Sequence, residues 1–131
     1  MNMFTRIRRD QQGAAALEFA VAVPVLIMLI YGIFRVGLLY EANAGMQHAL
    51  GEGARFATLF PTPTDAQIRA RMTSELFGRG YGNFTVAAPA TDASNAFKTL
   101  TVTYTTPMDF LIVPGPTVTV SRSKRVYMPV V

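Results

Sequence analysis

The chain of 131 residues contains no cysteine and no tryptophan, a single histidine, and charged side chains at only 15% of its positions. Without cysteine there is neither a disulfide framework nor a thiolate metal site, although an oxidising compartment stays open. His48 alone offers no cluster for a metal or a catalytic triad, so no cofactor is expected. A convergent set of nucleophile, base and electrophile is also missing, which argues against an enzyme and against a small-molecule substrate.

Basic character is scarce where nucleic acid would need it. The net charge is +4 and the pI about 9.9, yet half of that excess sits in the first residues, where Arg6, Arg8 and Arg9 face only Asp10. No basic stripe interleaved with aromatics follows, so no nucleic-acid partner is expected.

What the chain does have is apolar surface. Half of its residues are hydrophobic and its mean hydropathy is +0.28, a membrane-leaning balance. The run FAVAVPVLIMLIYGIF, Phe19 to Phe34, carries no charge, and extending it back to Ala14 adds only Glu18. Roughly 21 residues at about 1.5 Å each give about 32 Å, enough to cross a hydrocarbon core. Arg35 ends the run. The short basic N-terminus is expected to stay cytoplasmic, which places the C-terminal part outside, with Tyr31 and Tyr40 near the outer interface.

Two other readings use the same stretch. One is a buried core helix of a soluble domain, which rarely runs so long without charge. The other is a secretory signal peptide cut after Ala42-Asn43-Ala44, but that site lies ten residues beyond Phe34, and cleavage normally follows closely on a shorter apolar region.

Glu18 is the energetic oddity, because a carboxylate in hydrocarbon is expensive. It stands five residues after Gly13, which closes the basic leader, and Gly13 with three alanines presents a small backbone that a protease can approach. A buried carboxylate is tolerable when paired with a cation, such as an ammonium of a neighbouring subunit in a packed helical assembly. A glutamate simply hydrated at headgroup level is the bland alternative.

A basic leader, a glycine, AAALEF and an apolar helix resemble the processing site of type IV pilin-like proteins. More specifically, the stretch with Glu18-Phe19, Pro24 and Glu52-Gly53-Ala54-Arg55 is similar to TadE-like minor pseudopilins of the tight adherence (Tad or Flp) pilus, over roughly residues 8 to 59. Phe19 stands where the tyrosine version of that motif has a hydroxyl. The resemblance implies cleavage by a prepilin peptidase between Gly13 and Ala14, with Glu18 and Phe19 as the processing and assembly motif. It also implies as partners other pilins and pseudopilins and the inner-membrane assembly platform. The implied role is structural, in initiation or assembly of an adhesive pilus. The alternative is an uncleaved single-pass membrane protein whose outer domain binds or scaffolds a partner.

Beyond the membrane, helical spacing continues to about Leu59 and stops before Pro61 and Pro63, giving a helix of roughly 70 Å that Pro24 should bend. Gly45, Ala49, Gly53 and Ala57 recur every four residues and form a ridge suited to close backbone approach. Its expected partner is the protein's own sheet, a neighbouring subunit being the alternative. The segment DAQIRARMTSELFGRG predicts a short second helix starting near Asp65, with Ile68, Met72 and Leu76 on one face and Gly78 or Gly80 at its end.

Alternation in NFTVAA, KTLTVTYT and TVTVSRSKRVYM predicts strands, separated by the linkers APATDASNA and TPMDFLIVPGPT. Within the second linker, Phe110 to Val113 is an apolar loop that either folds back onto the head as core, the preferred reading, or stands out as a docking tip. Arg122 and Lys124 share one strand face and Arg125 the other, a solvated edge that discourages stray pairing.

The expected architecture is α+β: a long N-terminal transmembrane helix continuing into a small head with a short second helix and a three- to four-stranded antiparallel sheet. The parts are a cytoplasmic leader (1–13), the transmembrane helix (14–34), its extramembrane continuation (35–60) and a periplasmic or extracellular head (61–131).

Overall fold

The computed structural model describes residues 11–92, 97–111 and 113–127. The leader arginines Arg6, Arg8 and Arg9, the loop residue Ile112, and Met128 lie outside the described residues. The fold is α+β, with elements in the order α1 (Gln11–Ala57), α2 (Asp65–Ser74), β1 (Asn83–Val86), β2 (Ala90–Thr91), β3 (Phe97–Pro107) and β4 (Thr117–Tyr127).

Helix α1 runs through Pro24 without a break and ends at Ala57, two residues short of the expected Leu59. Its two halves behave differently. From Gly13 to Ile30 nearly every side chain is exposed, whereas from Ala42 onward Ala42, Met46, Ala49, Leu50, Ala54 and Ala57 are buried. Their spacing follows the helical repeat, so one stripe of the upper half faces the head.

The head closes on that stripe. Ile68 and Met72 of α2 and Leu100, Val102 and Tyr104 of β3 are fully buried against it. Each such side chain contributes about 1.5–3 kcal/mol by leaving water. The α2 start is set by a capping box: Thr64 Oγ1 accepts the Gln67 N–H while the Gln67 side chain accepts the Thr64 N–H. The cap is therefore Thr64, and Asp65 lies in the first turn, paired with Lys98. The helix stops at Ser74, earlier than expected, so Leu76 packs on the core from the connection that follows.

The sheet is organised around β3. Strand β4 pairs with one edge of it along its whole length, Phe97 opposite Tyr127 through Pro107 opposite Thr117. Strands β1 and β2 share the other edge, and all pairings are antiparallel. Strand β2 falls inside what the sequence reads as a linker.

Alternation along β3 sends Leu100, Val102, Tyr104 and Thr106 toward the helices. The other face carries Thr99, Thr101, Thr103 and Thr105, with hydroxyl pairs Thr103–Ser121 and Thr105–Thr119 at 3.1 and 3.4 Å. Tyr104 is the central core side chain, its hydroxyl donating to the Arg79 carbonyl at 2.7 Å and its ring 4.8 Å from that of Phe84.

Candidate processing and assembly site

Gly13 and Ala14 lie within α1, and among the described residues a Cβ added at Gly13 would meet nothing within 4 Å. The bond between them is thus uncrowded by the rest of the fold. Glu18 is exposed and forms no ion pair among the described residues. Glu18 lies about two turns past Gln11, the first described residue, within continuous helix. A cut after Gly13 would bring the helix start to within about one turn of the carboxylate.

Beside Glu18, the side chains of Leu17, Val21, Val25, Leu26 and Leu29 form an open apolar strip on the helix. Phe19 is 71% exposed on the same segment. The helix is long and apolar enough to cross a membrane, and none of its most apolar window is covered by the head. A core helix would be covered, so this geometry favours membrane anchoring over the soluble alternative. The signal-peptide alternative fares poorly as well: Ala42 is fully buried, within unbroken helix packed on the head.

The small-residue ridge is occupied within the chain. A Cβ on Gly45 would overlap the Phe77 carbonyl oxygen, and one on Gly53 would overlap Met72 Cγ and lie 3.5 Å from Leu100 Cδ1. Ala49 and Ala57 are fully buried. Its partners are therefore the α2–β1 connection and α2 as well as the sheet.

At the end of the ridge, Glu52 and Arg55 join an ionic cluster that ties α1 to α2. Arg55 Nη2 is 2.8 Å from Glu52 Oε2, and Arg71 Nη2 lies 3.7 Å from the same oxygen and 3.0 Å from Glu75 Oε1. His48 Nε2 is 3.2 Å from Glu75 Oε2. The Arg55 hydrogen bond holds the Glu52 carboxyl below its usual range; desolvation opposes it, and the charges of Arg55, Arg71 and His48 assist it. A depressed native value means that the stabilisation is present above the unfolded pKa and is lost as pH falls through the native one. Melting temperature against pH should therefore fall more gently in acid for Glu52→Gln than for the wild type. The difference should shrink in high salt, because these groups are solvent-screened.

Sequence reasoning missed Arg35. The residue that ends the apolar run is only 5% exposed. Its guanidinium donates to the Pro107 carbonyl and lies 4.5 Å from the Tyr81 ring and 5.7 Å from that of Tyr31, while Nε has no hydrogen-bond partner among the described residues. The i, i+4 spacing of Tyr31 and Arg35 was readable; Tyr81 and Pro107 are brought in by the fold alone. Among the described residues there is no group of acidic, histidine or cysteine side chains able to hold a metal.

The family comparison decides what kind of helix this is: residues 13–55 match the model described as TadE-like protein. Over this segment, under half of the chain, the protein is similar to the TadE-like family. The TadE-like match starts on Gly13 and ends on Arg55, taking in the apolar run, the ridge as far as Gly53 and the Glu52–Arg55 pair. Helix α2 and the sheet lie outside it. No curated protein and no solved structure matches the chain.

Proposed function

We propose that the chain is a structural, non-enzymatic minor pseudopilin of a Tad (Flp) pilus, matured by a prepilin peptidase between Gly13 and Ala14. The observation that carries this reading is the TadE-like match beginning at Gly13, directly ahead of an uncovered apolar helix that bears Glu18. In it, residues 1–13 are a cytoplasmic leader, 14–34 span the inner membrane, 35–60 continue the helix outward, and 61–131 form a head on the periplasmic side. Cutting frees the chain from its basic cytoplasmic anchor and makes the Ala14 ammonium, the partner for a neighbour's Glu18 as helices pack. Its partners are then the peptidase, other pilins and pseudopilins, and the membrane assembly platform.

Mass spectrometry of membranes from cells with and without the peptidase tests this. The expected result is a chain beginning at Ala14 only where the peptidase is present. A chain beginning at Met1 in both would replace this reading with the uncleaved single-pass anchor.

A further inference from the structure

The β3–β4 hairpin reaches down the side of α1 rather than folding into the head core. Its loop is closed by Met108 N–H donating to the Pro116 carbonyl, by reciprocal Phe110 and Val113 backbone bonds of 2.8 Å, and by Gly115 N–H donating to Asp109 Oδ1. At its turn Leu111 adopts φ 47°, a left-handed conformation that is costly for a branched apolar residue and cheap for glycine or asparagine. Phe110, Leu111 and Val113 stay 39%, 59% and 53% exposed. The loop is built, and it presents apolar side chains outward.

Its position on the helix says to what. Phe110 Cε1 lies 3.5 Å from where a Gly32 Cβ would stand. Gly32 precedes Phe34, the end of the charge-free run, by two residues, so the contact falls about 3 Å inside that run. Leu29, Ile30 and Ile33, 58–66% exposed, flank Gly32 on α1. One turn above Gly32, Arg35 and the Tyr81 ring beside it sit at the end of the run, where aromatic and basic side chains mark a membrane–water boundary, while Tyr31 stands level with Gly32. Whatever medium bathes Ile33 also bathes the tip beside it.

We propose that the tip side chains Phe110, Leu111 and Val113 enter the leaflet on the head's side, giving the head a second contact with the bilayer beside α1. The proposal rests on the reading of residues 14–34 as a membrane span. A hairpin bound at Gly32 and seated in lipid fixes the height and rotation of the head, because Arg35 clamps the hairpin base at Pro107 directly above.

The absence of native cysteine allows a direct test with the full-length chain in phosphatidylcholine vesicles. Single variants Ile27→Cys, Leu111→Cys and Ser123→Cys are labelled with an environment-sensitive fluorophore, and quenching by lipid-borne spin labels is measured. Several-fold stronger quenching at 27 and at 111 than at 123 is expected, with shallow spin labels most effective at 111. Quenching at 27 together with a 111 signal equal to that at 123 overturns the tip proposal and leaves the span intact. A loss of quenching at 27 as well overturns the span reading and the proposal with it. Val113→Cys supplies the same readout if Leu111→Cys fails to accumulate.

Discussion

Gly45→Ala is expected to destabilise the folded head by about 1–3 kcal/mol, whereas Gly51→Ala, six residues further along the same helix, should stabilise it by about 0.5–1 kcal/mol. Both changes give the helix the better former, so the propensity gain is common to the two. They differ in what the new methyl meets. At Gly51 nothing lies within 4 Å. At Gly45 the Phe77 carbonyl oxygen occupies the space, and its carbon and nitrogen follow at 3.0 and 3.1 Å. Backbone cannot rotate away as a side chain can, so the α2–β1 connection must lift off α1. Gly53→Ala should fall between them, because the obstructing atom belongs to the flexible Met72 side chain. Thermal or denaturant unfolding in detergent, followed by near-ultraviolet circular dichroism of the tyrosines, checks the series. A stabilised Gly45→Ala would mean that the head does not close on the helix at this point.

The second large effect concerns maturation. Gly13→Val should leave the leader in place, with no chain starting at Ala14 detectable by mass spectrometry, because a branched side chain blocks close approach to the backbone. Glu18→Ala should be cut as the wild type is, yet fail in assembly. Removing one partner of a buried ion pair leaves the other charge stranded at a cost of about 3–5 kcal/mol. At about 1.4 kcal/mol per tenfold, that is on the order of a hundredfold or more in an assembly equilibrium. Sheared fibres probed for other pilus subunits report the result. Normal fibres from Glu18→Ala cells would remove the ammonium pairing from the account.

Local pattern carried much of the fold. An uncharged run of this length, the small-residue spacing from Gly45 to Ala57, and the alternation around Leu100, Val102 and Tyr104 are each properties of one segment. The misses were non-local. Strand β2 is two exposed residues that exist as strand only because β3 offers an edge. Gly78, four residues past the end of α2, is held at φ 73° where a Cβ would overlap the Glu41 backbone, a contact no local pattern announces. The tip at Phe110 reads as core material in sequence, since an apolar tetrapeptide looks alike whether protein or lipid covers it. Its contact with Gly32 joins residues 78 positions apart. The start of α2 at Asp65 is legible in sequence, and the Thr64–Gln67 capping box that sets it has the local Thr-x-x-Gln pattern.

Helix α1 already includes Gly13 and Ala14. Proteases act on extended backbone, so the proposed cut must first melt the helix there. Glycine lowers that cost, because it holds helix about 0.5–1 kcal/mol less well than alanine. Under the proposed maturation Gly13 then has a second use besides its small size: it sets how often the bond is presented in a cleavable shape, so that even the modest Gly13→Ala should slow the reaction by stiffening the substrate.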